Sequence, residues 1–268
     1  MSDIDFLASE IYSRFGAVKR AKKCFLYTAK GVRLTDMFQE NGRAILGWEG
    51  GSAFTMFKNV LCRGIAGSFN TDFPYRTKRA VQELFVSERE LFVYYSKEEA
   101  FKAAVALSPA GTNFFRPWNS VEINWAEIDS IVFEPPLPWA EPVYFVAAKP
   151  DCVKNAFERG VVFSTGKKLP APLHAAIARS VYNLISALQV RSEKDWFLYD
   201  KVLSKYWERK GPYLFSKILK ENYRAFALHC LDCGLVINPD FSSPSIVPFG
   251  ADKGVFTKLK NDPFEGWR

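Results

Sequence analysis

Few residues in this chain combine a reactive type with a suggestive spacing. Histidine occurs twice, at His174 and His229, and the five cysteines are Cys24, Cys62, Cys152, Cys230 and Cys233. The run His229-Cys230-Leu231-Asp232-Cys233 contains the one Cys-x-x-Cys, and on a helix His229 and Cys233 would share a face. A zinc site needs a further ligand pair. No second cysteine pair exists, so packed helical cysteines and no metal are expected. A Ser-His-Asp triad would have to use one of the two histidines, each inside an apparent packed helix. Gly166-Lys167-Lys168 lacks the spacing of a phosphate-binding loop. Between 194 and 224, Lys194, Lys201, Lys205, Arg209, Lys210, Lys217, Lys220 and Arg224 stand near Trp196, Tyr206, Trp207 and Tyr223, which could suit nucleic acid. Interspersed acids favour a solvated amphipathic surface instead, and nucleic-acid binding is a third, weaker alternative.

The elements that must position any site follow from composition and pattern. The chain has 268 residues, 48% hydrophobic and 24% charged, which excludes disorder and low-complexity arrays. Lys plus Arg exceed Asp plus Glu by 36 − 29 = 7, which favours solubility without naming a partner. No window approaches about eighteen apolar residues, so no membrane span is expected. The acidic start Met1-Ser2-Asp3-Ile4-Asp5 lacks a signal pattern, and an odd number of scattered cysteines reads as reduced thiols in the cytoplasm.

Periodicity predicts helices over 3–15, 53–64, 75–84, 97–107, 151–159, 172–188, 193–210 and 216–232. Ser52 and Ser96 are the expected N-caps of two of them. Short apolar runs at 25–28, 32–38, 90–94, 130–133, 143–147 and 235–237 read as strands, and 109–117 reads as irregular. Alternating strands and helices point to an α/β fold.

Tyr27-Thr28-Ala29-Lys30-Gly31-Val32-Arg33-Leu34-Thr35-Asp36-Met37 resembles the N-terminal hairpin of class III aminotransferases, fold-type I enzymes that use pyridoxal phosphate (PLP). Asn41–Trp48 resembles the family's Leu-Gly-His type loop, and the helix at 53–64 falls where the family has its next helix. Glu83–Ala104 resembles the stretch that ends in the phosphate-binding turn. Ile131–Ala148 and Cys152–Gly160 resemble the strand pair and helix around the cofactor lysine. Gly160–Ser164 is similar to the Gly-Thr-Thr-Phe-Ser loop, and Gly234–Ile237 to a helix-to-strand step of the C-terminal lobe. The collinear order of these matches carries the resemblance.

PLP chemistry needs a lysine for a Schiff base, an acid on the pyridinium nitrogen and backbone donors for the phosphate. The resemblance places Pro135 at the lysine position, and proline has no amine. Lys149 is the substitute lysine. The segment between Leu107 and Asp129 is too short for the family's central strands and their acid. Glu134 is the nearest acid but follows another strand, and Glu122, Glu127 and Asp129 look like solvated loop acids. The phosphate turn is Ser96-Lys97-Glu98-Glu99, where Lys97 replaces a glycine and Glu98 would repel phosphate. The partner-subunit threonine falls on Val162, with Ser164 and Thr165 as neighbours.

The expected fold is α/β, a shortened PLP-transferase-like fold with a reduced central sheet and a small lobe built from both chain ends. The lobes divide as 1–70 and 189–268 around a large-domain remnant at 71–188. The expected function is non-catalytic binding or assembly, and the alternative is an active PLP-dependent aminotransferase with an unusual lysine. No cofactor is expected, or PLP under the alternative, with Ser96, Lys97 and Thr165 as the residues that would bind it. The resemblance implies a homodimer. Aromatics in irregular segments, namely Trp48, Phe69–Tyr75 and Trp139, fit a contact surface.

Overall fold

A computed structural model of the chain describes residues 2–119 and 123–265; Glu122 therefore lies outside the described residues. The chain forms two compact units. One comprises Met1–Glu49, Trp118–Ser120 and Val190–Arg268, and the other Gly50–Pro117 and Val121–Gln189.

The first unit opens with the helix Asp3–Phe15. Ser2 accepts from the Asp5 N–H while the Asp5 carboxylate accepts from the Ser2 N–H, a reciprocal cap that satisfies two backbone donors. Leu7 and Ile11, four residues apart, bury one face of the helix. The strands Val18–Lys22, Phe25–Thr28 and Arg33–Asp36 then form an antiparallel meander, and Leu235–Val236 adds in parallel beside Arg33–Asp36. The first of these strands is mostly exposed, and its basic sequence hid it from pattern reading.

A second sheet of the same unit overturns two expectations. The expected helix over 193–210 stops early: the short helices Glu193–Trp196 and Asp200–Leu203, joined by the 3-10 turn Phe197–Tyr199, give way to the strand Trp207–Lys210. The expected helix start at Ser216 belongs to the strand Tyr213–Ser216, and the helix proper is Lys220–Asp232. The cause is the pair Gly211-Pro212. Gly211 has φ +57°, and glycine followed by proline suits a two-residue hairpin turn. A side chain at Gly211 would also meet the Trp118 carbonyl oxygen at 1.9 Å. The apolar positions Trp196, Tyr199, Leu203 and Tyr206 are nevertheless all buried, and they share one aromatic core with Trp207 and Phe226.

The second unit holds a four-stranded sheet with spatial order Glu90–Tyr94, Tyr144–Ala148, Ser130–Phe133, Thr112–Phe114. The last strand corrects the reading of 109–117 as wholly irregular. The helix Lys97–Leu107 packs on this sheet through Ala100, Ala103, Ala104 and Leu107, a face of mostly small side chains that lets helix and sheet approach closely. Ser96 is its N-cap, as expected. Ser52 is not a cap: it is the first residue of the helix Ser52–Cys62, and its hydroxyl takes a hydrogen bond from Arg179. The helix expected over 75–84 starts earlier, as Phe73–Phe85, since proline in the first turn leaves no helical bond unmade.

Two buried groups hold this unit together. Arg89 is fully buried and donates to the carbonyls of Trp125, Ala126, Ile128 and Asp129 and to the Ser87 hydroxyl. His174 lies on the long helix Ala171–Val190, with Nδ1 2.9 Å from the Thr77 hydroxyl oxygen. That oxygen is 3.1 Å from the Phe73 carbonyl and 3.2 Å from the His174 carbonyl. A hydroxyl has one proton, and given to either carbonyl it leaves His174 Nδ1–H to donate to Thr77. Burial holds the His174 pKa down at about 4, so the ring is neutral near pH 7.

Candidate functional site

Strand direction picks out one edge of the four-stranded sheet. Glu90–Tyr94 and Ser130–Phe133 both run antiparallel to Tyr144–Ala148, and Thr112–Phe114 runs parallel to Ser130–Phe133. Three strands therefore point the same way, and their carboxyl ends are Tyr94, Phe133 and Phe114. In open α/β sheets such an edge is where ligands bind, because helices begin and loops diverge there.

The sequence-predicted residues divide cleanly about this edge. Ser96 follows Tyr94, and Pro135 follows Phe133, by two residues each, and Lys97 comes next after Ser96. Tyr94 pairs with Tyr144 and Phe133 with Phe145, so Ser96 and Pro135 leave the sheet at the same end. Pro135 is buried, and its carbonyl accepts from the Leu137 N–H. The exposed Thr165 belongs to a strap along the outer side of Glu90–Tyr94: Tyr94 donates its hydroxyl to the Ser164 carbonyl and Lys167 its N–H to the Val93 carbonyl. Val162 is 95% exposed. Lys149 lies elsewhere. It follows Ala148, which pairs with Glu90 and Ser130 at the opposite end of the strands, roughly 10 Å of backbone away. Its ammonium is held by the Asp129 carboxylate at 3.1 Å and the Glu127 carbonyl at 2.7 Å.

The helix start itself is acidic. The Ser96 hydroxyl donates to Glu98 at 2.7 Å and accepts from the Glu99 N–H. That hydroxyl holds the Glu98 carboxyl below the usual carboxylate range, so its negative charge sits beside the backbone donors an anion would use. Pattern reading missed a cationic counterpart on the same edge. Lys97 Nζ lies 5.1 Å and the Arg116 guanidinium 5.6 Å from the centre of the Phe114 ring, which stacks on Phe101. Reading 109–117 as irregular hid this group, since only a strand brings Phe114 to the sheet end with Arg116 just beyond it.

The other sequence candidates have structural partners. Cys230 and Cys233 are buried on the helix Lys220–Asp232, and burial pushes both thiols up. His229 Nε2 lies 2.9 Å from the Asp262 carbonyl. Among the described residues no cluster of three or more potential metal ligands occurs. Part of the basic stretch is engaged internally: Arg209 pairs with Asp200 and Glu193, Lys217 donates to the Ser204 carbonyl, and Arg224 lies over the Phe6 ring. Of the loop aromatics, Phe69 is 86% exposed, whereas Phe73 is buried, Trp139 packs on Phe57 and Trp48 donates to Asp36. Among the described residues no helix is long and apolar enough to cross a membrane.

Comparison with known proteins agrees with the fold that this edge suggests. No family model matches the chain. A relative in Treponema pallidum (strain Nichols), described as an uncharacterized protein, is 27% identical over 293 residues, covering 90% of this chain and 91% of the relative. A second uncharacterized protein, from Borreliella burgdorferi, is 24% identical, covering 91% and 88%. Among solved structures, the ornithine aminotransferase of Plasmodium yoelii is similar with TM-score 0.64 and 13% identity over 97% of both chains. The acetylornithine aminotransferase of Elizabethkingia anophelis is similar with TM-score 0.68 and 12% identity, again over 97% of both. The serine palmitoyltransferase of S. paucimobilis, solved with a PLP–myriocin adduct, gives TM-score 0.61 at 10% identity over 96% of this chain and 95% of that one. The chain thus has the fold of PLP-dependent aminotransferases. At these identities the likeness is one of fold.

Proposed function

We propose that this chain is a binding or assembly protein built on the aminotransferase fold, and not a transaminase. The observation that carries the reading is the placement of Pro135. It is buried at the carboxyl end of Ser130–Phe133, where the resemblance locates the Schiff-base lysine, and Lys149 is at the opposite end of the strand pair in an ion pair with Asp129. Glu98 beside Ser96 further opposes a phosphate at the helix start. The residues present do not fit PLP in the family's arrangement. The four-stranded sheet is consistent with a reduced large domain, with the small lobe drawn from both chain ends.

The test is absorbance of the purified protein with added PLP, before and after borohydride, followed by peptide mass spectrometry. The expected result is no reduced pyridoxyl adduct concentrated on one lysine. A stoichiometric adduct on a single lysine overturns the proposal, and one on Lys149 makes the transaminase reading the leading one. As an assembly protein the chain is expected to be a homodimer in the cytoplasm, and light scattering at micromolar concentration reads the mass directly. A strictly monomeric mass removes assembly and leaves binding. RNA or DNA titration at physiological salt is expected to give weak binding without sequence preference.

A further inference from the structure

In the first unit, a cavity of about 250 Å³ has Lys23, Gln39, Ile45, Glu49, Arg191 and Phe249 among its lining residues. Arg191 is its chemically distinctive member. The guanidinium carbon lies 3.9 Å from the centre of the Phe249 ring and 5.5 Å from that of Trp118. Nη1 donates to the Ile45 carbonyl at 3.0 Å. Guanidinium has five N–H donors, and the remainder meet no acceptor among the described residues. No carboxylate lies within ion-pair distance of it there, and desolvation lowers its pKa. Asp195 supports the charge from beyond ion-pair distance, but desolvation outweighs it, and an anion in the cavity would offset the remaining cost.

The surrounding wall is built to stay open. Gln39, Glu40 and Asn41 are three successive non-glycine residues with left-handed backbone, at φ +47°, +50° and +58°, which costs on the order of 1–2 kcal/mol per residue. The turn persists because Asp36 accepts the Phe38 and Gln39 N–H groups at 2.9 Å each, while Asn238 donates to the Asn41 side chain at 2.8 Å. Gln39 gives its amide to the Asp36 carbonyl. The Glu49 carboxylate is engaged by the Lys23 N–H at 2.8 Å. The lining thus counts two cations, Lys23 and Arg191, against one carboxylate, Glu49, and the rest is largely apolar side chain and backbone.

We propose that this cavity binds a small organic carboxylate, with Arg191 gripping the carboxylate and the Ile45–Phe249 side holding an apolar body. A guanidinium already oriented by stacked rings loses little freedom when it takes a planar two-oxygen group through two parallel bonds. The proposal does not rest on the reading of the sheet edge, because every residue in it belongs to the other unit.

Sodium benzoate serves as the test ligand, with benzamide as its uncharged isostere, followed by titration calorimetry and tryptophan fluorescence on the full chain. Saturable benzoate binding is expected, with benzamide about tenfold weaker or worse. Arg191→Gln should bring benzoate down to the level of benzamide, and Arg191→Lys should fall between, since lysine keeps the charge but not the fork. Lys23→Gln, at an exposed position, should weaken benzoate about threefold through the lost field. Inorganic phosphate competing more strongly than benzoate would overturn the assignment of a carboxylate. Unchanged benzoate affinity in both Arg191→Lys and Lys23→Gln would overturn the role of the cations. No saturable binding of benzoate or acetate up to about 20 mM would overturn the site itself.

Discussion

Arg89 and Arg191 are both arginines withdrawn from water whose nearby carboxylates, Asp129 and Asp195, do not offset desolvation, and the two units use them in opposite ways. Arg89 is saturated: four backbone carbonyls and a hydroxyl surround it, and its charge fixes the segment from Trp125 to Asp129. Arg191 has one carbonyl, two aromatic faces and a cavity. The first is a structural strut, whose every donor is answered within the chain. The second keeps donors unanswered where a small molecule can reach them. Burial alone does not separate the two roles; the fate of the N–H groups does.

The two arginines should differ most under denaturant. Arg89→Met strands several carbonyls in the interior and is expected to cost about 3–5 kcal/mol. Arg191→Gln loses one hydrogen bond and ring contacts but also sheds a desolvated charge, for a net change within about 1 kcal/mol. Urea midpoints of the two variants measure both, and equal losses would erase the distinction.

A second contrast lies in two buried titratable groups, one in each unit. Burial raises the Asp36 carboxyl to about 6 from an ordinary 3.8, against the hydrogen bonds from Gln39, Trp48 and Phe38. Its folded form binds the proton more tightly than the unfolded chain does. Its contribution is therefore present below pH 4 and lost as pH rises through 6, by roughly 3 kcal/mol. Burial lowers His174 to about 4 from 6.5. Its contribution is present above pH 6.5 and lost as pH falls toward 4, again by roughly 3 kcal/mol. The two slopes oppose each other between pH 4 and 6. His174→Phe should flatten the acid loss in its unit and Asp36→Asn should steepen it in the other, read as urea midpoints at several pH values. Thr77→Val, which leaves His174 Nδ1–H without its acceptor, is expected to cost less than either titration, about 1–3 kcal/mol, read as a urea midpoint at pH 7.

Much of the fold could be read in advance where local chemistry and tertiary outcome agree. The runs at 90–94 and 130–133 are short, apolar and bounded by breakers, and both are strands with those bounds. Ser96 caps the helix it precedes. Reading failed where two periods overlap. Trp196, Tyr199 and Leu203 lie in one helical run that ends after Leu203, and Tyr206 joins them in the core but not on the helix. Of the candidate site, Ser96 and Pro135 could be placed because strand ends locate them. The cationic pair about Phe114 and the Arg191 cavity could not. Arg89 contacts residues some forty positions along the chain, and Arg191 meets Ile45 across a separation of 146. An isolated arginine in a polar stretch gives no local sign of either.

The strap from Ser164 to Lys167 has a consequence for how copies of this chain meet in solution. Glu90–Tyr94 ends its sheet, so its outer backbone groups would otherwise be free to recruit a strand from a neighbouring molecule. Lys167 takes the Val93 carbonyl instead, and Gly166 comes so close that a side chain there would meet that carbonyl at 2.5 Å. The opposite margin is guarded by brevity, since Thr112–Phe114 offers only three residues. Gly166 thus does between molecules what no contact inside the core can do: it keeps a sticky border closed, and any side chain added there would turn a packing error into an aggregation route.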